Sequence, residues 1–404
     1  MQSFEEHSLN KLEDSSAADL LVAGKVHAAM IPEILPVAEE LEIRSFYAPC
    51  KRIGGDLFDV VQISENIIAF MVIDVAGYGV QAALMSATAK ISFSTYMKAG
   101  FSPGAAVEQV NADIRRLSLN CFITAFLGYL DLHDNKLTYC NAGHPYPVIY
   151  RRSQNSIEML KTQGTLVGVL EDGFFEERFV YLNPGDCLLM FTDGVYHCFS
   201  DNEFPERCAL EKSITETLYK GTPDEFIGKI RSKCINEKDE NRFEDDITAL
   251  AVEILTLSRK NQIKEKLGFS MDDPVYLQFL RYYEDMDRAI AVILSNMDSC
   301  GYTDDAIRKM KISLTELLVN AILHGNKKDY SKKVIMGHIV DKSSAIISIM
   351  DEGSGFDPAT VPDPTLPDNL VKDCGRGLFI VRHYVDNMIF NDNGNRVTVI
   401  KYHK

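Results

Sequence analysis

The chain has no CxxC pair, no apolar run approaching the length of a membrane span, no basic excess and no repeat between its halves. Each absence narrows the field. Nine cysteines, scattered singly and odd in number, suggest neither a disulfide framework nor a zinc site, and reduced thiols in a cytoplasmic protein fit best. The opening stretch MQSFEEHSLNKLEDSS is acidic and polar, so neither a signal peptide nor a membrane partner is expected. With 42 basic against 58 acidic side chains, the net charge of −16 argues against nucleic acid or an anionic membrane surface as partner. Phosphorylated substrates stay open, because metal ions supply positive charge locally.

What is present is a soluble globular composition, and 404 residues exceed one ordinary core, so two or three domains are expected. Residues 16–30, SAADLLVAGKVHAAM, place apolar residues at helical spacing until Pro32 and Pro36 end the pattern. This predicts an N-terminal helical segment within 1–40, which either packs on its own domain or pairs with a second copy as a homodimer. His27 on it reads as a surface or core histidine. From residue 41 to 254 β-branched and aromatic strand signals dominate, interrupted by helical stretches after AGYG and at TPDE, where Thr222, Pro223 and Glu225 fit a capped helix start. Strands on both sides of helices indicate a layered α+β domain with two packed sheets. Residues 255–274 turn polar and read as a linker. Over 275–404 follow a strand, helices near 281–299 and 303–325, a hairpin, a proline-bearing loop, a helix and a last strand.

Within IGGDLFDVVQISENIIAFMVIDVAGYG two strand ends carry an aspartate, Asp56 beside a Gly-Gly pair and Asp74 after an apolar run. Matching ones lie downstream, Asp193 in CLLMFTDG and Asp245 with Asp246 in FEDDITAL. An acidic group closing a buried strand needs compensation, and oxygen-only ligands suit two hard cations such as Mg²⁺ or Mn²⁺. Two such ions would activate a water and neutralise phosphoryl oxygens. Strand-end aspartates are also ordinary turn residues, and composition leaves both readings open.

PEILPVAEELEIRSFYAPCKRIGGDLFD, VIDVAGYGVQAALMSA, YCNAGHPYPVIY, LMFTDGVYH and EDDITALAVEI, in this order, resemble the metal-dependent PPM protein phosphatases, most nearly the bacterial SpoIIE-like serine/threonine branch. The resemblance spans about 20–254 and implies a PPM-type β-sandwich flanked by helices. It makes Asp74 a bridging ligand with the Val75 carbonyl beside it, Asp193 the second bridging carboxylate, Asp245 the completion of one metal, and Asp56 an outer ligand. Asp59 and Asp246 stand between ligand support and structure. Gly54, Gly55, Gly77, Gly79 and Gly194 would admit backbone close to the ions, and His144 is either a proton donor or substrate contact or a hydrogen-bonded turn residue. Tyr78 stands where the family usually has histidine, and Ile53 where it usually has valine. Neither departure removes an implied ligand. Lys51 and Arg52 are candidate phosphate contacts.

In LTELLVNAILHGN, Glu316, Asn320 and His324 are four apart and share one face of a helix. DEGSGFD follows with Asp351, Gly353 and Gly355, then CGRGLFIV with Gly375, Arg376 and Gly377 opening a helix, where free N–H groups favour an anion. These elements resemble the GHKL (Bergerat) α/β-sandwich ATPases over about 275–404, and among them the anti-sigma-factor serine kinases. The resemblance implies ATP with Mg²⁺ held at Asn320, Glu316 as general base, Asp351 reading the adenine amino group, the glycines and Arg376 framing the nucleotide, and a short lid over 357–373. Together the two resemblances imply a partner-switching regulator. Its phosphatase would act on a phosphorylated STAS-domain anti-sigma factor antagonist, and a sigma factor is a second candidate partner. The alternative keeps the phosphatase and makes the C-terminal domain a non-catalytic, nucleotide-gated binding module.

Overall fold

The computed structural model describes residues 20–32, 35–36, 40–51, 53–64, 66–77, 79–117, 121–199, 205–234, 245–280, 283, 285–329, 332–360 and 376–403. Two compact units divide the chain, one reaching Ile254 and the other beginning at Leu255.

In the first unit one antiparallel sheet has the order β1 (Leu41–Ala48), β10 (Ile247–Ile254), β9 (Cys187–Phe191), β6 (Val148–Arg151), β7 (Ser156–Met159). The other runs β2 (Leu57–Gln62), β3 (Ile67–Val75), β4 (Ile123–Asp131), β5 (Lys136–Ala142), β8 (Glu177–Tyr181). Period-two alternation sorts the side chains. Ala69, Met71, Ile73 and Val75 of β3 join the core formed with α2 (Val80–Lys98) and α3 (Pro103–Arg116). Ile68, Phe70 and Val72 take the opposite face and are buried as well. A strand buried on both sides reads as an unbroken apolar run, as IIAFMVI does. On the other sheet, Ile247, Ala249 and Ala251 of β10 pack with α4 (Gly194–Cys198), α5 (Glu206–Lys220) and α6 (Pro223–Cys234). The short strands β7 and β8 lie outside the sequence expectation.

Helix α1 (20–28) packs in cis. His27 is buried with Nε2 2.9 Å from Ser86 Oγ on α2, Lys90 Nζ donates to the Met30 carbonyl, and Met30 and Ile31 join the α2 core. Its outer residues Leu21, Val22 and Val26 are exposed. Cys198 is disulfide-bonded, against the expectation of reduced thiols throughout, whereas Cys50, Cys121, Cys140 and Cys187 are free. A bridge depends on approach in space, which single scattered cysteines do not disclose.

The second unit is an antiparallel sheet ordered β11 (Tyr276–Leu280), β12 (Val334–Val340), β13 (Ser344–Asp351), β15 (Arg396–Tyr402), β14 (Asn387–Phe390). Helices α8 (Asp285–Ser299), α9 (Asp304–Val319) and α10 (Arg376–Tyr384) form a core with one face. The segment read as a linker is instead helical. Helix α7 (Leu257–Lys266) is capped by Thr256 Oγ1, which accepts from the Arg259 N–H at 3.1 Å. Ile263 and Leu267 cluster with Val275, Leu277 and Ile335. Few apolar residues among many polar ones suffice to dock a helix, which is why composition alone suggested a tether.

Candidate metal centre and nucleotide site

The β2–β3 register pairs Leu57 with Ile73, so its next step sets Asp56 across from Asp74. In the other sheet Thr192 N–H donates to the Thr248 carbonyl at 3.0 Å, which brings Asp193, just past β9, beside Asp245 and Asp246, just before β10. Four strand ends thus deliver the acidic residues. Asp56 is buried, and its Oδ2 accepts from Thr192 Oγ1 at 2.7 Å and Thr248 Oγ1 at 2.8 Å.

The electrostatics shows that these groups face one another. Burial, then the charges of Asp193, Asp245 and Asp246, raise Asp74 to about 7, partly offset by a hydrogen bond with Asp56. Burial, then Asp74 and Asp246, hold Asp56 well above the usual carboxylate range against the two threonine hydroxyls. Asp245 is raised by burial first and by Asp193 and Asp246, while the Asp246 N–H and His197 oppose the rise.

That donor set fits divalent cations. It is oxygen-only, clustered and self-repelling, and hard ions would relieve the repulsion. Close backbone approach fits as well. A Cβ on Gly55 would stand 2.9 Å from the Val75 carbonyl oxygen, and one on Gly194 would stand 2.0 Å from the Asp246 carbonyl oxygen. Among the described residues no three His, Cys, Asp or Glu side chains form a group able to hold one ion.

Three residues left open by the sequence have hydrogen-bond or ion-pair partners within the fold. Asp246 turns its carboxylate to the loop before β2, accepting from the N–H groups of Cys50 at 2.7 Å and Gly55 at 2.6 Å. Asp59 pairs with Lys90 of α2 at 3.1 Å. His144 is buried, with Nδ1 2.8 Å from Thr124 Oγ1 and its N–H donating to Asn141 Oδ1 at 2.8 Å. Burial drives its pKa down to about 3, against the Phe191 backbone, so it is a neutral turn residue. Arg52 and Tyr78 lie outside the described residues.

Sequence reasoning missed Thr192, Thr248 and Tyr47. Tyr47 stands against the glycine pair, its hydroxyl 2.8 Å from a Cβ built on Gly54, and burial with Asp246 and Asp56 pushes its pKa up. Both threonines adjoin acidic motifs, in FTDG and DDIT, and a polar residue inside a buried run was the available signal.

In the second unit Glu316 lies on α9, and a Cβ on Gly377 of α10 would meet its Oε2 at 2.3 Å. Asn320 opens a π-helical turn, Asn320–Gly325, and is half-buried, whereas His324 is exposed. The extra residue in that turn breaks the shared face expected for Glu316, Asn320 and His324; such turns recur at functional sites. Asp351 ends β13, accepts from the Gly353 N–H at 2.8 Å, and is raised chiefly by burial. Its carboxyl group crowds Gly325, and a Cβ on Gly353 would meet the Gly325 carbonyl at 2.1 Å. Asn326, buried and unforeseen, ties the turn down: Nδ2 donates to the Lys333 carbonyl at 3.1 Å and Oδ1 accepts from the Glu352 N–H at 2.9 Å. Gly355 has φ +71 and packs on Asn393. Arg376 begins α10, while Gly375 and most of the expected lid, 361–373, lie outside the described residues.

Comparison with known proteins agrees with this division. Residues 64–255 match the family of stage II sporulation protein E, and residues 282–401 match the histidine kinase-like ATPase domain. The phosphoserine phosphatase RsbU of Bacillus subtilis is 26% identical over 251 residues, covering 62% of this chain and 74% of that protein. The serine-protein kinase RsbW of Listeria monocytogenes is 24% identical over 109 residues, 25% of this chain and 69% of that one. The SiaA-PP2C domain of Pseudomonas aeruginosa superimposes with a TM-score of 0.50 at 20% identity, over 60% of this chain and 98% of that one, a likeness of fold. The chain accordingly joins a SpoIIE-type PPM phosphatase domain to a histidine kinase-like ATPase domain, and it is an enzyme of the protein-phosphatase type.

Proposed function

We propose that this protein is a metal-dependent phosphoserine/phosphothreonine phosphatase whose fused ATP-binding domain acts as a serine kinase on the same signalling circuit, with a STAS-type antagonist as the shared substrate. The observation that carries the reading is the convergence of Asp56, Asp74, Asp193 and Asp245 from four strand ends, three of them with pKa values raised by burial and by one another's charge. Asp74 with the Val75 carbonyl, Asp193 and Asp245 would hold two Mn²⁺ or Mg²⁺ ions, and Asp56 would support them from the buried side. When bound, such ions lower the pKa of a shared water and neutralise the phosphoryl oxygens.

In the second domain, Asn320 would hold Mg²⁺ on the ATP phosphates and Glu316 would take the proton of a substrate hydroxyl. Asp351 would accept from the adenine amino group, with Gly353, Gly355, Gly375, Arg376 and Gly377 framing the nucleotide. Similarity to RsbU, to RsbW and to an anti-sigma F factor of Geobacillus thermodenitrificans supports a partner-switching role, with a sigma factor as the other partner.

The deciding experiment is p-nitrophenyl phosphate hydrolysis with and without Mn²⁺, in wild type and Asp193→Asn. Hydrolysis that requires Mn²⁺ and disappears in the variant is expected. Activity indifferent to metal or to the substitution overturns the reading.

A further inference from the structure

The carboxylates of the candidate centre are divided between two sheets. Asp56 stands just before β2 and Asp74 lies in β3, whereas Asp193 follows β9 and Asp245 precedes β10. No backbone ladder spans two stacked sheets, and apolar contact between them is non-directional. A dinuclear centre needs its ligands placed within about 0.5 Å. Directional polar bonds between the sheets therefore matter more than their number suggests.

Two of them meet at one atom. Thr192 Oγ1 and Thr248 Oγ1 both donate to Asp56 Oδ2, at 2.7 and 2.8 Å. The donors are also tied to each other. The Thr248 N–H donates to Thr192 Oγ1 at 3.0 Å, and the Thr192 N–H to the Thr248 carbonyl at 3.0 Å. With its oxygen already accepting, the Thr192 hydroxyl has Asp56 as the target for its own proton. Both threonines are 0% exposed, and β-branched side chains have stiff χ1 angles, so the hydroxyls are pre-set.

We propose that Thr192 and Thr248 form a two-hydroxyl clamp that fixes Asp56 by one oxygen and sets the separation of the two carboxylate pairs of a dinuclear divalent-cation centre. They are positioning residues: neither reaches substrate, and each acts through Asp56. The inference rests on the metal-centre reading given under Proposed function.

The test is Mn²⁺ titration of the full chain by calorimetry, with a thermal melt of each variant. Thr192→Val and Thr248→Val remove a donor and keep the shape, and loss of such outer partners weakens metal binding about 10–100-fold. Thr192→Ser and Thr248→Ser retain the hydroxyl and are expected to bind as wild type does. Valine variants that bind Mn²⁺ with wild-type affinity and stoichiometry overturn the clamp, as do serine variants that lose as much as valine ones. Should valine variants fail to fold, Thr192→Cys and Thr248→Cys, which keep a weak donor, replace them: weakened binding supports the clamp and unchanged binding overturns it. Wild type that binds no Mn²⁺ overturns the metal-centre reading, and the clamp with it.

Discussion

Asp74 is the residue whose chemistry is most exposed to test. Its ordinary carboxyl pKa is 3.8, and burial together with Asp193, Asp245 and Asp246 raises it to about 7. Between those values the native protein holds a proton that the unfolded chain has released, so stability falls as pH rises through the window. Buried His144 works in the opposite sense: its lowered pKa means that stability is lost as pH drops below the 6.5 of a free histidine. Comparing wild type with Asp74→Asn in EDTA separates the two. The Tm of the variant should exceed that of wild type by a margin that grows between about pH 4 and about pH 7 and then levels off, and Mn²⁺ should close the gap from the wild-type side. Gly194 supplies a second residue-scale prediction. A Cβ there would stand 2.0 Å from a backbone oxygen, that of Asp246, which cannot swing aside. Gly194→Ala should lose about 1–3 kcal/mol in urea unfolding and weaken Mn²⁺ binding with it.

At the scale of elements, α7 shows how little apolar surface commits a helix. Ile263 and Leu267 carry its packing, and Thr256 caps it. Ile263→Ala should cost about 2–5 kcal/mol and Thr256→Ala about 1 kcal/mol. Both losses should appear in the melting of the ATPase unit while Mn²⁺-dependent hydrolysis persists; an unchanged ATPase transition would detach α7 from that unit. The π-helical turn after α9 explains why helical spacing misplaced His324. An expectation of four-residue periodicity assumes an unbroken α-helix, and one inserted residue turns everything after it. Asn320, at the insertion, keeps its place near α9, and Asn326 holds the far end of the turn.

For the whole molecule the open issue is whether two opposed chemistries share one chain. Glu316→Ala should abolish phosphoryl transfer from ATP to a serine of a STAS-type acceptor while leaving nucleotide binding intact by calorimetry. Transfer at the wild-type rate would remove Glu316 as the base. Failure of the wild type to transfer phosphate, with ATP still bound, would favour a nucleotide-gated binding module. Among the described residues no helix is long and apolar enough to cross a membrane.

The sequence by itself determined the layered α+β character and the residues at the acidic strand ends. Those signals are local: alternation, apolar runs, and a charge where burial resists it. It could not determine that Asp246 accepts from the backbone N–H groups of Cys50 and Gly55 as well as adding its charge to the cluster, because adjacent identical residues differ only in the direction their strand end turns them. It gave no reason to single out Thr192 and Thr248, since threonine is an ordinary strand residue until a buried carboxylate is found between two of them. Nor did it separate a polar tether from a docked helix at 255–274. Those decisions belong to the tertiary structure, because each depends on a contact across sheets or units of chain far apart in sequence, and nothing in the local pattern encodes the distance.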